Sequence, residues 1–571
     1  MSSKGLSARV EARKPKLRSG GEVLIDQLAI QGVSRIFGVP GESFLAALDA
    51  LCGRSDISFT TCRHEGGAAM MAEAWGKLTG RPGVCFVTRG PGATNASAGV
   101  HVAQQDSTPM LLLIGQIARG HRYRDAFQEV DWRQMFGGMA KWVAEVDDAA
   151  RLPELVHRAV ATAMAGRPGP VVLVLPEDML TDRVSVADGR RAPDPDGPTA
   201  SREVLQQVED RLREARRPLV IVGGGGWTEA GVAALRRLRG HGSLPIASAF
   251  RRQDLVDNRD PDYAGHLGIA PDPALVERVR TADLLLVLGA RLGEMTTGGY
   301  TLLDVPCPQP TLIHVHADPN ELGRVYQADV AIAAQPSRFA VDLAELVAER
   351  PGPARPAADA EPPNSTYQRW ITPVANPGPV QLARCIALLR ERLADDAIVS
   401  NGAGNYAGWV NRFFRYHAFR TQLAPTSGSM GYGLPAAIAA SLCHPHRQVV
   451  AFAGDGCFQM TGQELATAAQ EGCRLLVIVV DNGMLGTIRM HQEREYPTRV
   501  SATTLKNPDF AALARAFGWD GVRVEDDAGF KDALDAALGA SRPTLVHLVL
   551  DPEALTPART LSQIRAAAEA R

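Results

Sequence analysis

Val449-Val450-Ala451-Phe452-Ala453 runs into Gly454-Asp455-Gly456-Cys457, and after a helix-like stretch at 462–471 comes Leu475–Val480 followed by Asp481-Asn482-Gly483. Two unbroken apolar runs around a helix read as two strands of a parallel sheet, because a strand covered on both faces shows no alternation. In an open parallel sheet, ligands gather outside the carboxyl ends of the strands. Both ends carry oxygen ligands here. Asp455 and Asn482 are 27 positions apart, the span of one crossover. On neighbouring strands, one carboxylate and one amide oxygen would converge beside glycine-exposed backbone. That is half of an octahedral Mg²⁺ site, since this cation takes few protein oxygens and completes its shell with phosphates and water. The glycines let a diphosphate approach the main chain, and the helix start offers free N–H groups. Gly-Asp-Gly alone is an ordinary βα turn. Asn482 after the next strand is what points to a metal–diphosphate site.

The same rhythm extends in both directions. Strands are expected at Arg35–Val39, Val84–Thr88, Met110–Ile114, Val171–Leu175, Leu219–Val222, Leu284–Leu288, Leu312–Val315 and Leu545–Leu550, with helix-like stretches between them. That alternation gives an α/β chain of doubly wound parallel sheets. Two stretches interrupt it. Residues 186–201 are rich in Pro, Asp and Gly, and 351–365 are richer still in proline. Both read as exposed linkers. They divide the chain into an N-terminal domain at 21–185, a central domain at 202–350 and a C-terminal domain at 366–555, with a basic tail at 1–20 and a tail at 556–571. The first and third parts echo one another. Arg167-Pro168-Gly169-Pro170 precedes Val-Val-Leu-Val-Leu-Pro-Glu-Asp, and Arg542-Pro543 precedes Thr-Leu-Val-His-Leu-Val-Leu-Asp-Pro-Glu. Two similar domains flanking a third are expected.

Composition excludes several classes. The 571 residues hold 61 Lys+Arg against 63 Asp+Glu, a net charge of −2, which lacks the basic excess of a nucleic-acid or membrane-surface protein. No run of 18 apolar residues spans a bilayer. The eight cysteines (52, 62, 85, 307, 385, 443, 457 and 473) are scattered without zinc or CxxC spacing, so reduced thiols in a cytoplasmic protein are expected. Gly76-Lys77 is followed by Leu78, so no P-loop exists, and Thr228 stands where a Gly-x-Gly-x-x-Gly fingerprint after Leu219–Val222 needs glycine.

In the first part, Arg63-His64-Glu65-Gly66-Gly67-Ala68-Ala69 leads into a small-residue helix, Met70–Leu78. On local sequence, Glu65 is a first-turn charge that complements the helix dipole. Taken with Gly-Asp-Gly and the Asn after the next strand, however, the chain resembles the thiamine-diphosphate enzymes of the acetolactate synthase and pyruvate oxidase type, over residues 21–552. The resemblance implies a pyrimidine-binding, a central and a diphosphate-binding domain. Asp455 and Asn482 would hold Mg²⁺ with the backbone carbonyl of Met484, and Gly456 and Cys457 would lie against the diphosphate. Glu65 would face the aminopyrimidine N1′ on a partner subunit, its proton promoting the imino tautomer; a dry cleft that raises a carboxyl pKa suits that task. Gly90-Pro91-Gly92 matches the family's Gly-Pro-Gly loop. Gln128, in Phe127-Gln128-Glu129-Val130-Asp131, and Lys141 match a segment lining the substrate channel. Met430 would wedge between the cofactor rings and Gly428 would lend its carbonyl to the 4′-amino group; without the match, Met430 reads as core filling.

The chain departs from that pattern at Arg89, where a small residue is usual, at Asn405-Tyr406 in place of Gln-His at the diphosphate end, and at His491 in place of a tryptophan shaping the acceptor pocket. Arg167, Gly289-Ala290-Arg291 and Asp318 resemble FAD-contacting segments, but members without FAD keep the same scaffold, so FAD stays open. The resemblance implies decarboxylation of a 2-oxo acid and ligation of the resulting enamine to a carbonyl acceptor. A simple 2-oxo acid decarboxylase, a hydroxy-ketone lyase and a non-catalytic paralogue are the alternatives. A homodimer or homotetramer with its site at the subunit interface is implied, and a lone monomer should be inactive.

Overall fold

The computed structural model describes residues 16–350 and 361–570. Three six-stranded sheets, every pairing parallel, carry helices on both faces. The strands are apolar throughout because both faces are covered. In Gly83–Val87, Met110–Gln116 and Pro170–Pro176 every residue is buried.

The first and third sheets share one topology. In space the N-terminal sheet runs Ser58–Thr61, Arg35–Gly38, Gly83–Val87, Met110–Gln116, Pro170–Pro176, Trp142–Glu145. The C-terminal sheet runs Gln422–Leu423, Ile398–Asn401, Val449–Gly454, Leu476–Asp481, Thr544–Val549, Asp520–Val524. Numbered within each domain, both read 2-1-3-4-6-5, and the two echoing segments at 170–176 and 544–549 occupy the same slot. The central sheet reads 3-2-1-4-5-6, with Pro218–Val222 beside Leu284–Leu288 where the order reverses.

The two similar domains pack on one another through helices made of small residues. Glu65–Thr79, Pro91–Asp106 and Gly433–Cys443 contribute Ala68, Ala69, Ala72, Ala96, Ala436 and Ala440 to one continuous core. The approach is close: a Cβ on Gly99 would lie 2.4 Å from the Ala69 Cβ. A buried ionic network reinforces it. Lys77 pairs with Asp106 and, at 3.3 Å, with Glu73; the Asp106 carboxylate accepts the Thr426 amide at 2.7 Å, and Glu73 accepts the Tyr432 hydroxyl at 2.5 Å.

Four expectations change. Residues 186–201 form no regular element, yet they are not a loose linker. The Gln27 amide bonds Asp188 and the Gly189 N–H, the Gln31 amide bonds the Arg190 carbonyl and the Ala192 N–H, and Ala192 is buried. Of the second proline-rich stretch, 351–360 lie outside the described residues, and its end already starts a helix, Pro363–Trp370. Of the basic tail, 1–15 lie outside the described residues, while Arg18 is held by Asp26 and Asp188 and sits in a two-stranded antiparallel pair with Val184. The stretch 556–571 contains a helix, Leu561–Glu569, docked through Arg565 onto the buried Glu493. The eight cysteines are free, and among the described residues no helix is long and apolar enough to cross a membrane.

Candidate active site

Val449–Gly454 and Leu476–Asp481 are neighbours with Gly454 opposite Val480, which brings Asp455 and Asn482 to the same carboxyl edge of the sheet. Asp455 is the first residue of a short helix, Asp455–Gln459, and is buried. Its Oδ1 accepts from the Gly456 N–H at 2.9 Å and its Oδ2 from the Asn507 amide at 2.7 Å. Burial pushes this carboxyl up to about 6, against those two hydrogen bonds. The neighbouring Asp481 goes the other way. Burial opposes its charge, but hydrogen bonds from His547, Gly483 and Asn507 outweigh it and hold the carboxyl down to about 2.

Asn482 is half-buried, and among the described residues its amide makes no side-chain hydrogen bond. Met484 pairs its backbone with Thr504. A Cβ on Gly456 would stand 2.7 Å from Leu485 Cδ2 and 3.8 Å from Met430 Cε, so Met430 reaches the same turn. One carboxylate, one free amide oxygen and a main-chain carbonyl are hard oxygen donors suited to Mg²⁺. The residues present therefore fit a Mg²⁺–diphosphate group, with glycine where its backbone would be approached. The side chains of Tyr406 and Cys457 turn inward instead. The Tyr406 hydroxyl accepts the Gly402 N–H at 3.0 Å and meets Cys457 Sγ at 3.3 Å, and Cys457 Sγ takes the Gly431 N–H at 3.2 Å.

A cavity of about 1250 Å³ is walled by all three domains, with Asp455, Gly456 and Asn482 outside its lining. Asn405, Gly428, Met490 and His491 line one part of it, and Arg167, Gly224, Arg252 and Arg291 another. Gly224 sits at the reversal point of the central sheet, where a Cβ would strike the Gly289 carbonyl at 2.1 Å. Asn405 Oδ1 accepts from the Thr487 hydroxyl at 2.8 Å. His491 Nδ1 is 2.7 Å from Arg494 Nη2, a group that only donates, so Nε2 carries the proton. Arg167 is already spent on Glu321, Ser107 and the Gln104 carbonyl. Asp318 does not line the cavity; it caps the turn at Asn320.

Glu65 lies in a different group. It opens the helix Glu65–Thr79, which is capped by His64, and its Oε2 accepts from the Asn95 amide at 3.0 Å. Gly92 packs against it, and Gln128, at φ +66°, packs against Gly90. Glu65, Asn95, the Gly90–Gly92 turn and Gln128 are thus one cluster on the N-terminal domain, none of it lining the cavity. Lys141 joins neither group. Its Nζ donates to the Ala165 carbonyl at 2.5 Å; the residue is exposed as a whole, but desolvation of its ammonium end pushes that group down to about 8. Arg89 is tied to Glu177 at 2.8 Å. Gln128 and Lys141, both expected along the substrate channel, therefore stand apart from one another in the single chain, and His491, expected in the acceptor pocket, lines the cavity.

Two groups escape sequence reasoning. Asn507 touches both carboxylates, and nothing local marks it. Glu464, fully buried, accepts the Arg63 and His64 N–H groups at 3.1 and 2.9 Å and so anchors the turn that presents Glu65.

Comparison with known proteins agrees with this layout. Residues 18–135, 205–343 and 402–548 match the N-terminal TPP binding domain, the central domain and the C-terminal TPP binding domain of thiamine pyrophosphate enzymes. The acetolactate synthase large subunit of Parasynechococcus marenigrum is 34% identical over 554 residues, 94% of this chain and 88% of that one. The chain belongs to the acetolactate synthase family of thiamine pyrophosphate enzymes. The isozyme 2 large subunit of Escherichia coli is 32% identical over 545 residues, 93% and 96% of the two chains, and the acetolactate synthase of Mycobacterium bovis is 32% identical over 551, 94% and 88%. As a member of this family the chain is a thiamine-diphosphate-dependent carboligase, a transferase that decarboxylates and then ligates. This favours carboligation over the plain decarboxylase and lyase readings, and it rules against a non-catalytic scaffold.

Proposed function

We propose that the chain decarboxylates a pyruvate-like 2-oxo acid and joins the remaining fragment to a second carbonyl compound, as an acetolactate synthase does, using a site completed by a second copy of itself. The observation that carries this reading is the convergence of Asp455 and Asn482 on adjacent strand ends beside Gly456. Asp455, the Asn482 amide oxygen and the Met484 carbonyl would hold Mg²⁺, with Gly456 and the backbone of Cys457 against the diphosphate. Thiamine diphosphate, when bound, supplies the electron sink that stabilises the carbanion left by decarboxylation.

The chain's own residues position and protonate. Glu65 Oε2 is occupied by Asn95, so Oε1 is the oxygen that gives and takes the proton. Met430, against Gly456, would shape the space the cofactor occupies, and Gly428 would offer its carbonyl at the cavity edge. His491 Nε2–H serves as a neutral donor in the acceptor pocket. Glu65 is only half-buried in the single chain, and among the described residues its cluster with Asn95 and Gln128 makes no hydrogen bond with Asp455 or Asn482. Both facts support a homodimeric or larger assembly in which the partner covers it. The arginine-bearing part of the cavity, at the reversal point of the central sheet, suits a flavin dinucleotide there.

Purified protein given Mg²⁺, thiamine diphosphate and a panel of 2-oxo acids with and without aldehydes tests the reading. Carbon dioxide together with a hydroxy-keto product is expected; release of free aldehyde alone would replace ligation with simple decarboxylation. Flavin absorbance in the purified protein decides the dinucleotide.

A further inference from the structure

The segment Thr503–Asn507 belongs to no helix or strand, yet it is laid across the metal–diphosphate turn and fastened at both levels. Its backbone makes a short antiparallel bridge. The Leu485 N–H donates to the Thr503 carbonyl at 2.8 Å, the Leu505 N–H donates to the Gly483 carbonyl at 2.8 Å, and Met484 faces Thr504 between them. Its side chains close over the turn. Leu505 Cδ1 lies 3.2 Å from where a Gly456 Cβ would be. The Asn507 amide nitrogen, with two hydrogens, donates one bond to Asp455 Oδ2 at 2.7 Å and one to Asp481 Oδ1 at 2.8 Å, while its oxygen accepts from Gln459 at 3.0 Å.

This geometry solves a specific problem. Asp455 directly follows one strand and Asp481 ends its neighbour, and two carboxylates at one sheet edge repel. An amide is the one uncharged side chain that can donate to both at once and still accept, so it orients each carboxylate without placing a cation that would compete with a metal. Every side-chain hydrogen-bonding atom of Asn507 is used.

We propose that Asn507 is a positioning residue for Mg²⁺-dependent cofactor loading, clamping Asp455 in its metal-facing orientation while the Thr503–Leu505 bridge fixes the Met484 carbonyl. The inference rests on the assignment of Asp455, Asn482 and Met484 to the metal. Outer partners that orient a ligating group are worth about 10–100-fold in metal affinity.

The test is a Mg²⁺ titration of the cofactor-free protein at fixed thiamine diphosphate, read by intrinsic tryptophan fluorescence and by calorimetry, for the wild type, Asn507→Leu, Asn507→Ala and Asp455→Ala. Asn507→Leu keeps the branched shape without donors, and Asn507→Ala serves if the leucine variant fails to fold. Half-saturation by Mg²⁺ is expected to rise at least tenfold in the Asn507 variants with circular dichroism unchanged, and saturating Mg²⁺ should restore turnover, which a merely unfolding change would not allow. Half-saturation within twofold of wild type, beside an Asp455→Ala protein that no longer responds to Mg²⁺, overturns the role of Asn507. A normal Mg²⁺ response in Asp455→Ala overturns the metal assignment itself.

Discussion

Glu65 illustrates how little a residue's local setting says about its work. In the chain it is a first-turn acid with one oxygen held by Asn95, an arrangement common to many helix starts. The role proposed for it rests on the family resemblance and on the free oxygen. Glu65→Gln keeps the Asn95 contact and removes the exchangeable proton, so turnover is expected to fall about 10²–10⁴-fold while cofactor affinity by fluorescence titration changes little. Asp455 gives a pH signature. Burial pushes its carboxyl up to about 6, and the Mg²⁺ proposed to bind there would take the anion. Below that value a proton must leave before the metal enters, so Mg²⁺-dependent cofactor affinity should weaken about tenfold per pH unit as pH falls and level off above it. Calorimetric titrations from pH 5 to 8 would show this, and a flat profile would mean that another group holds the metal.

Among the elements, the helices that join the two similar domains are the most constrained. Gly99→Val would drive two methyl groups into the Ala69 backbone of a helix that cannot retreat, because the same core continues through Gly433–Cys443. A loss of about 1–3 kcal/mol or more is expected, visible as a lowered Tm. Strands were legible where two-sided burial ran over five or more apolar residues, whereas Ile398–Asn401, fully buried but four residues long and polar at Ser400 and Asn401, left no such run. Leu284-Leu-Leu-Val-Leu288 is a strand over its full apolar run, and Val449–Gly454 extends one residue beyond it. Strands that escaped notice are short or lie at an edge. Ile246–Ser248 has three residues, Gln422–Leu423 has two, and Asp520–Val524 exposes Arg523 to solvent, so none leaves a continuous apolar signature. The helix expected at 462–471 begins as a tighter turn at Gly462–Glu464, where Glu464 reaches across to the Arg63 and His64 amides. Asp455 and Asn482 stood out because strand ends and glycines frame them. Asn507 did not, because what it does depends on a loop returning from 25 residues further on.

At the scale of the molecule, the two outer domains share one core and one ionic network, so they should melt together. Asp106→Ala removes the acceptor of the Thr426 amide and a partner of the half-buried Lys77. A cost of about 3–5 kcal/mol is expected, with differential scanning calorimetry resolving a second, earlier transition as the outer domains part. The pinned stretch of chain after Val184 has a practical bearing on dissection. Gln27, in the helix Gly20–Ile30, and Gln31, which caps its end, are both buried, and their amides are bonded by Asp188, Gly189, Arg190 and Ala192. An N-terminal fragment ending at 185 would strand both amides in an apolar setting, whereas one ending after Ala192 would carry their partners with it. The excisable unit is thus set by two glutamines, several residues past where its last strand stops.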